Sequence, residues 1–467
     1  MRLYNTLTKN VEEFVPREEG VVKLYTCGPT VYHYAHVGNL RCYIFEDILQ
    51  KGLEFLNYDV IRVMNITDVG HMTSDGDTGE DKMAKGAKRE GKTVYEIADF
   101  YTQAFLSDIN KLNIKRPATL ERASDHIDMY IKMIQKMLDD GYAYISSGNV
   151  YFDVSKATDY YKLSGKNPDD LFVAVRDSVE EDVAKKSPFD FGLWFTVSKF
   201  ENQAMKWDSP WGVGYPGWHI ECSGIACEYL GDYVDIHCGG VDNIFPHHTN
   251  EIAQSEAYLG HSWCKFWCHG AHLNDQTGKM SKSNGEFLTL SLLESKGYHP
   301  LDYRYFCLNS HYRNTLVFSY DSLDIAKSAL NKLRKRVQAL SSEGLIDTER
   351  YDKYVSQFAE AISNDLNTSQ MITIVFDVLK DTEVNDHTKL ELIKKFDTVL
   401  SLDLTSISVE EEIDSELKKY IENKILERQE AKKNKDFVKA DSIRDELLEK
   451  NIQLNDTREG TTYEIIK

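Results

Sequence analysis

The sequence predicts an α/β fold: a parallel sheet with an inserted helical subdomain, then a helical bundle and a small α+β C-terminal unit. Three observations carry that expectation. Strand, helix and strand patterns follow one another between residues 21 and 66, as in a βαβ unit. Strand signals return in YVDIHCGG (233–240), where the sheet is completed after a long detour. From Tyr320 onward the apolar residues fall at helical spacing.

The elements follow in order. VVKLYTC (21–27) is rich in β-branched and aromatic residues and reads as a buried strand. Leu40, Tyr43, Ile44, Ile48 and Phe55 form a helical stripe, and YDVIRVMNI (58–66) is a second strand. Such a sheet places its ligand at the carboxyl ends of its strands. Residues 80–112 and 119–140 read as long helices. The stretch 164–195 is charged, glycine-containing and poorly periodic, so the region from about 115 to 205 is expected to be an insertion. Leu323, Ala326, Leu330, Leu333, Val337 and Leu340 alternate steps of three and four, as a bundle seam does. An acidic linker, SVEEEIDSE (408–416), precedes two helices and two short strands around the turn in NIQLNDTREGTTYEII (451–466).

At 467 residues the chain exceeds one ordinary core. With 42% hydrophobic and 28% charged residues it reads as folded, not disordered. No run approaches the ~18 apolar residues that span a bilayer, so no membrane association is expected. The start, MRLYNTLTKNVEEF, lacks the apolar core of a secretory leader, which points to the cytoplasm. Eight cysteines in so long a chain suit a reducing compartment that leaves thiols free for metal. A net charge of −20 argues against binding nucleic acid through the whole surface. Yet Lys327, Lys332, Arg334, Lys335 and Arg336 meet no acidic residue between 325 and 340. A solvated helix face explains such a run; in an acidic protein it also suits a polyanion backbone.

GAKREGKT (86–93) matches the P-loop expression and is rejected. No strand precedes it, and Ala-Lys-Arg-Glu favours helix where backbone amides should converge on phosphate. Three other constellations carry chemistry. In CGPTVYHYAHVGN (27–39) a strand-to-helix turn holds His33, His36 and Asn39 where a glycine-rich cradle would stand, with Gly38 allowing close approach. TGKMSKSNGEF (277–287) offers Lys279 and Lys282 on a glycine-flanked loop, point charges suited to a polyphosphate. PGWHIECS (216–223) supplies Cys222, and FPHHTNEIAQ (245–254) supplies His247 and Glu251 on one helix face. Joined by Cys27 they make a donor set suited to zinc. A rival set lies in CKFWCHGAH (264–272), namely Cys264, Cys268, His269 and His272, although cysteines in such apolar company are usually core.

Together these blocks resemble the cysteinyl-tRNA synthetase family of class I synthetases. AHVGN is similar to the HIGH signature, KMSKS (279–283) is the second signature verbatim, and REGTTYEI (458–465) resembles the family's C-terminal block. The resemblance covers essentially the whole chain. It implies a Rossmann-like catalytic domain that activates L-cysteine with ATP and Mg2+, then transfers it to the 3′-terminal ribose of tRNA(Cys). It implies one Zn2+ per chain on Cys27, Cys222, His247 and Glu251, and Thr67, Trp218 and His237 around the bound cysteine. His33, His36, Gly38 and Asn39 would contact ATP, with Lys279 and Lys282 closing over the triphosphate. Two positions depart from the family pattern: Asn39 replaces the signature's final His and carries no charge, and Thr249 stands where Glu is usual.

The implied organisation is a catalytic domain in two halves, 1–114 and 206–275, around a connective insertion, 115–205. A KMSKS and stem-contact region (276–319), a helical bundle (320–407) and an anticodon-binding unit (408–467) follow, with Tyr463 and Arg458 as candidate base readers. A monomer is expected, since no repeat demands a partner. Serine differs from cysteine by one atom, and pocket shape rejects such near-isosteres poorly. Direct metal–thiolate bonding would provide the selectivity without an editing domain, for which the insertion reads as too short and too helical. The alternative is a ligase joining cysteine to a small amino-sugar, which would have little use for a C-terminal reader. A catalytically dead RNA-binding paralogue would have lost signature lysines or metal ligands.

Overall fold

Strand β1 (Val21–Thr26) lies at the centre of a five-stranded sheet and is largely buried on both faces, as a strand covered on both sides must be. Helix α1 (Val37–Phe55) carries the chain to β2 (Asp59–Ile66), which pairs parallel to β1. The computed structural model describes residues 1–69, 82–165, 184–197, 205–275, 278–279, 287–406, 415–434, 436–450, 452–457 and 460–465. Lys282 and Arg458, singled out in the sequence, lie outside the described residues.

The expected helix over 80–112 is two helices, α2 (Lys82–Glu90) and α3 (Val94–Lys111). Gly91 takes a left-handed φ of 64° between them, and Thr93 starts α3 by a reciprocal capping box with Glu96. The P-loop look-alike thus runs from α2 into that capped turn. Residues 119–140 are not one helix either. Thr119–Arg122 is strand β3, on the sheet edge beside β2, and only Ile127–Asp139 is helical (α4). Periodicity could not separate so short a strand from the helix that follows it.

Besides α4 the insertion carries the antiparallel strands β4 (Ala143–Ser146), β5 (Asn149–Phe152) and β6 (Phe191–Phe195), and β7 (Tyr215–Pro216), beyond its expected end at 205, completes a four-stranded sheet. Strands of two to five residues leave little alternation to read. Helix α5 (Trp218–Leu230) then leads to β8 (Val234–Gly240), and α6 (Thr249–Leu259) crosses to β9 (Cys264–Gly270). The order β9–β8–β1–β2–β3 is parallel throughout. Its progression reverses between β1 and β8, so a crevice opens at their carboxyl ends.

Behind the sheet, α7 (Pro300–Leu308) joins α1 to the helical bundle through buried charge. Arg304 donates to Asp47 at 2.6 Å and to the carbonyls of Leu112 and Leu400. Lys51 reaches the same carboxylate at 2.8 Å. The bundle comprises α8 (Tyr320–Gln338), α9 (Thr348–Ser363), α10 (Thr368–Lys380) and α11 (Asp386–Leu400). Of the expected seam, Leu323, Ala326, Leu330, Leu333 and Val337 are buried, while Leu340 lies beyond the end of α8 and is half-buried. Residues 1–404 form one compact unit and 405–467 a second. In the second, α12 (Ser415–Lys433), α13 (Phe437–Glu449) and the antiparallel pair β10 (Ile452–Thr457) and β11 (Gly460–Ile465) close on Ile421, Ile443, Leu447, Ile452 and Leu454. Among the described residues no helix is long and apolar enough to cross a membrane.

Candidate active site

A cavity of about 520 Å3 opens at the switch between β1 and β8. Of the candidate site residues singled out in the sequence, Cys27, His33, His36, Gly38, Asn39 and Trp218 line it, as does His272 of the rival set. Cys27 directly follows β1, and Gly28 presses against β2 so closely that a Cβ there would lie 1.6 Å from the Asn65 carbonyl oxygen. Only glycine lets the first loop turn there. The Asn65 side chain locks the approach, accepting from the Gly28 N–H at 2.8 Å and donating to Thr67 Oγ1 at 2.9 Å.

His36 is the N-cap of α1, its Nδ1 accepting from the Gly38 N–H at 3.1 Å. Burial holds this imidazole below its ordinary pKa, so the cap is neutral. The Val37 N–H donates to the Leu288 carbonyl, which ties the first loop to the chain beyond the lysine loop. Lys279 lies in a two-residue strand, Gly278–Lys279, paired with Leu273–Asp275.

Below the cavity floor the metal-type donors converge. The ligand atoms of Cys27, Cys222, His247 and Glu251 all lie within 4.8 Å of one another. The thiols are 4.0 Å apart, Cys222 Sγ is 3.5 Å from His247 Nε2, and that nitrogen is 3.0 Å from Glu251 Oε1. Zinc–sulfur bonds of about 2.3 Å put tetrahedral ligands roughly 3.8 Å apart, so the spacing fits. His247 sits in the last turn before α6 and Glu251 in its first, which gives the expected one-face pairing. A second set, Cys27, His237, His248 and Glu251, overlaps the first at two members.

Electrostatics follow from burial. Desolvation opposes charge on Glu251, but His237 and His247 outweigh it and hold the carboxyl at about 2. Burial also works against charge on His247, and Glu251 overcomes it, raising the imidazole to about 10. Hydrogen bonding with Cys27 brings the Cys222 thiol down to about 7, while burial and its thiol neighbour push Cys27 up. One thiol of the pair is therefore poised to ionise.

Thr67 and His237 are buried and do not line the cavity. Thr67 donates to Glu221 at 3.1 Å, and His237 Nε2 lies 3.0 Å from Glu251 Oε2. Four residues that the sequence reading did not weigh, or set aside, support the cluster. His219 Nδ1 is 2.8 Å from His247 Nδ1, and His248 Nε2 is 3.2 Å from Cys27 Sγ. His248 is backed at 2.8 Å by His269, and Cys222 Sγ lies 3.7 Å from Asn65 Oδ1. The adjacent histidines of PHHTN and WHIEC were the available signal. The rival set does not converge among the described residues: Cys264 and Cys268 are buried in the core, and His272 turns to Asp242.

The family model described as the class I (C) tRNA synthetase catalytic domain matches residues 13–328. A cysteine–tRNA ligase of Treponema denticola is 43% identical, the match covering 99% of this chain and 99% of that protein. One of Borrelia hermsii is 44% identical over 99% of this chain and 98% of its own length. In fold the chain resembles Mycobacterium tuberculosis methionyl-tRNA synthetase, solved in complex with methionyl-adenylate. There the TM-score is 0.54 and the identity 13%, covering 82% of this chain and 90% of that one.

Proposed function

The chain belongs to the cysteine–tRNA ligase family of class I synthetases, and from that premise we propose how its residues divide the work. The enzyme is an aminoacyl-tRNA synthetase acting on cysteine, ATP and tRNA. The cysteine carboxylate attacks the α-phosphorus of ATP and pyrophosphate leaves. A ribose hydroxyl at the tRNA 3′ end then attacks the adenylate carbonyl and AMP leaves. Adenylation needs positioning and charge stabilisation more than proton transfer, while the second step also passes the hydroxyl proton on as AMP leaves.

His33, His36, Gly38 and Asn39 hold the nucleotide on the first loop. Lys279 and Lys282 meet the triphosphate, which enters with Mg2+. Cys27, Cys222, His247 and Glu251 hold Zn2+, with Trp218 packing against the substrate and Thr67 and His237 fixing the floor. When bound, zinc supplies a Lewis acid for the substrate thiolate, lowering a thiol pKa from its ordinary ~8.5 where an alkyl hydroxyl stays protonated. We prefer this set to the one with His237 and His248 because two soft thiols suit zinc better than one. His237 then serves as hydrogen-bond partner to the far oxygen of Glu251, and His248 stands beside Cys27, the usual surroundings of a held metal. The eight free cysteines favour a reducing cytoplasm, and we take the monomer as the working unit.

The observation that carries this reading is the convergence of two thiols, an imidazole and a carboxylate under a cavity rimmed by the first signature. Pyrophosphate exchange with cysteine should exceed that with serine by roughly four orders of magnitude, and tRNA should be charged. Equal exchange with serine would defeat the zinc role. Exchange without charging would point to another acceptor, such as an amino-sugar.

A further inference from the structure

One part of the cavity mouth has, apart from His33, no task in adenylation as described. His33, Tyr34, Phe100, Tyr101 and Phe287 form a continuous aromatic rim. Tyr34 meets Tyr101 at 5.1 Å and Phe100 at 6.1 Å between ring centres, and Phe100 meets Tyr101 at 5.1 Å. His33 lies parallel to Tyr101 and edge-on to Phe287 at 4.3 Å. Tyr34 and Phe100 remain 39% and 41% exposed, enough ring face to take a further stacking partner.

Cations stand among these rings. Lys92 Nζ is 4.1 Å from the centre of the Phe100 ring, and Arg89 donates to the Tyr101 hydroxyl at 3.1 Å. Glu90 faces both cations, at 2.9 Å from Arg89 and 3.6 Å from Lys92. On α3, Asp99 is paired with Arg122 and Glu96 with its Thr93 cap. One acid thus faces two cations at the rim, and Lys88 is exposed on the same helix end. Lys92 is the residue that made GAKREGKT match the P-loop expression, and Lys88 and Arg89 lie within it.

Exposed rings interleaved with Lys and Arg are what unpaired nucleotides require, since every base has a face to stack and a phosphate to neutralise. The rim is continuous with the catalytic cavity: Tyr34, Tyr101, His33 and Phe287 line both. Resting on the ligase reading above, we propose that Tyr34, Phe100 and Lys92, backed by the buried Tyr101 ring, form the stacking surface that guides the unpaired 3′ end of the tRNA into the cavity.

The test uses the full-length enzyme with Phe100→Ala, Phe100→Tyr and Lys92→Gln. Cysteine-dependent pyrophosphate exchange should stay within about twofold of the parent, as for a surface change. The kcat/KM for tRNA charging should fall about tenfold with Phe100→Ala, the effect of one lost stacking contact. It should fall less with Lys92→Gln and recover with Phe100→Tyr. A tRNA trimmed of its unpaired 3′ nucleotides should bind the parent and Phe100→Ala alike. Equal losses in exchange and charging, or charging untouched by Phe100→Ala, would overturn the proposal. A parent enzyme without cysteine-dependent exchange would instead overturn the ligase reading, a result distinct from a loss confined to the rim.

Discussion

Asn65 shows how one side chain organises this site. Its amide oxygen receives the Gly28 N–H and its amide nitrogen reaches Thr67, so one residue of β2 fixes the loop bearing Cys27 and the wall beside it. Cys222 and His247 come from elements far away in sequence yet stand 3.5 Å apart. Magnitude separates the two overlapping donor sets. Removing a mere partner of a ligand costs roughly 10–100-fold in metal affinity, and removing a ligand costs more. Cys222→Ser should therefore abolish stoichiometric zinc and raise the KM for cysteine far more than that for ATP. His248→Asn should retain zinc with weakened affinity. Elemental analysis with substrate titrations checks both, and loss of zinc only in His248→Asn would select the second set. The donors of the first set were legible as residue types in the sequence. Their layer of supporting histidines was not, because a single histidine beside a motif reads equally as core.

Helix α1 does two jobs along its length. Its first turn borders the cavity, and its middle carries Glu46 and Asp47, both fully buried. Arg62 meets Glu46 at 2.9 Å and Arg304 meets Asp47 at 2.6 Å. Burial works to raise the Asp47 pKa, but Arg304 and Lys51 prevail and hold it below the ordinary value. A carboxyl depressed on folding adds stability above its unfolded pKa and loses it as the pH falls through the native one. Asp47→Asn strands Arg304 without its counter-charge, at a cost of about 3–5 kcal/mol. The melting temperature at neutral pH should fall by roughly 5–10 °C. The variant should also lose part of the parent's acid dependence, as melting curves taken from about pH 5 downward would show. Acidic residues in the middle of α1 gave no sequence signal of this role, since their arginine partners come from β2 and α7. The break between α2 and α3 was readable in principle: a glycine followed by the Thr93–Glu96 capping pair is a start signal that the longer apolar period masked.

At the scale of the molecule, the chain divides after Leu404, and the smaller unit has a core of its own. In an acidic protein, residues 418–450 hold ten basic against eight acidic side chains. A chain ending at residue 404 should keep cysteine-dependent exchange within a few fold, since the cavity and donor cluster lie wholly in the first unit, while charging of tRNA(Cys) collapses. Full charging by that fragment would remove any role of the second unit in tRNA recognition. Local spacing alone specified the parallel sheet, the bundle seam and the types of donor, because packing obeys the periodicity of each segment. Only the folded chain shows that β3 closes the sheet edge, that the insertion carries antiparallel strands beside its helix, and that Glu46 and Asp47 are buried ion-pair partners. It also gathered the aromatic rim from three separate segments. Those outcomes depend on which surfaces meet across long stretches of chain, and local propensity carries no information about that.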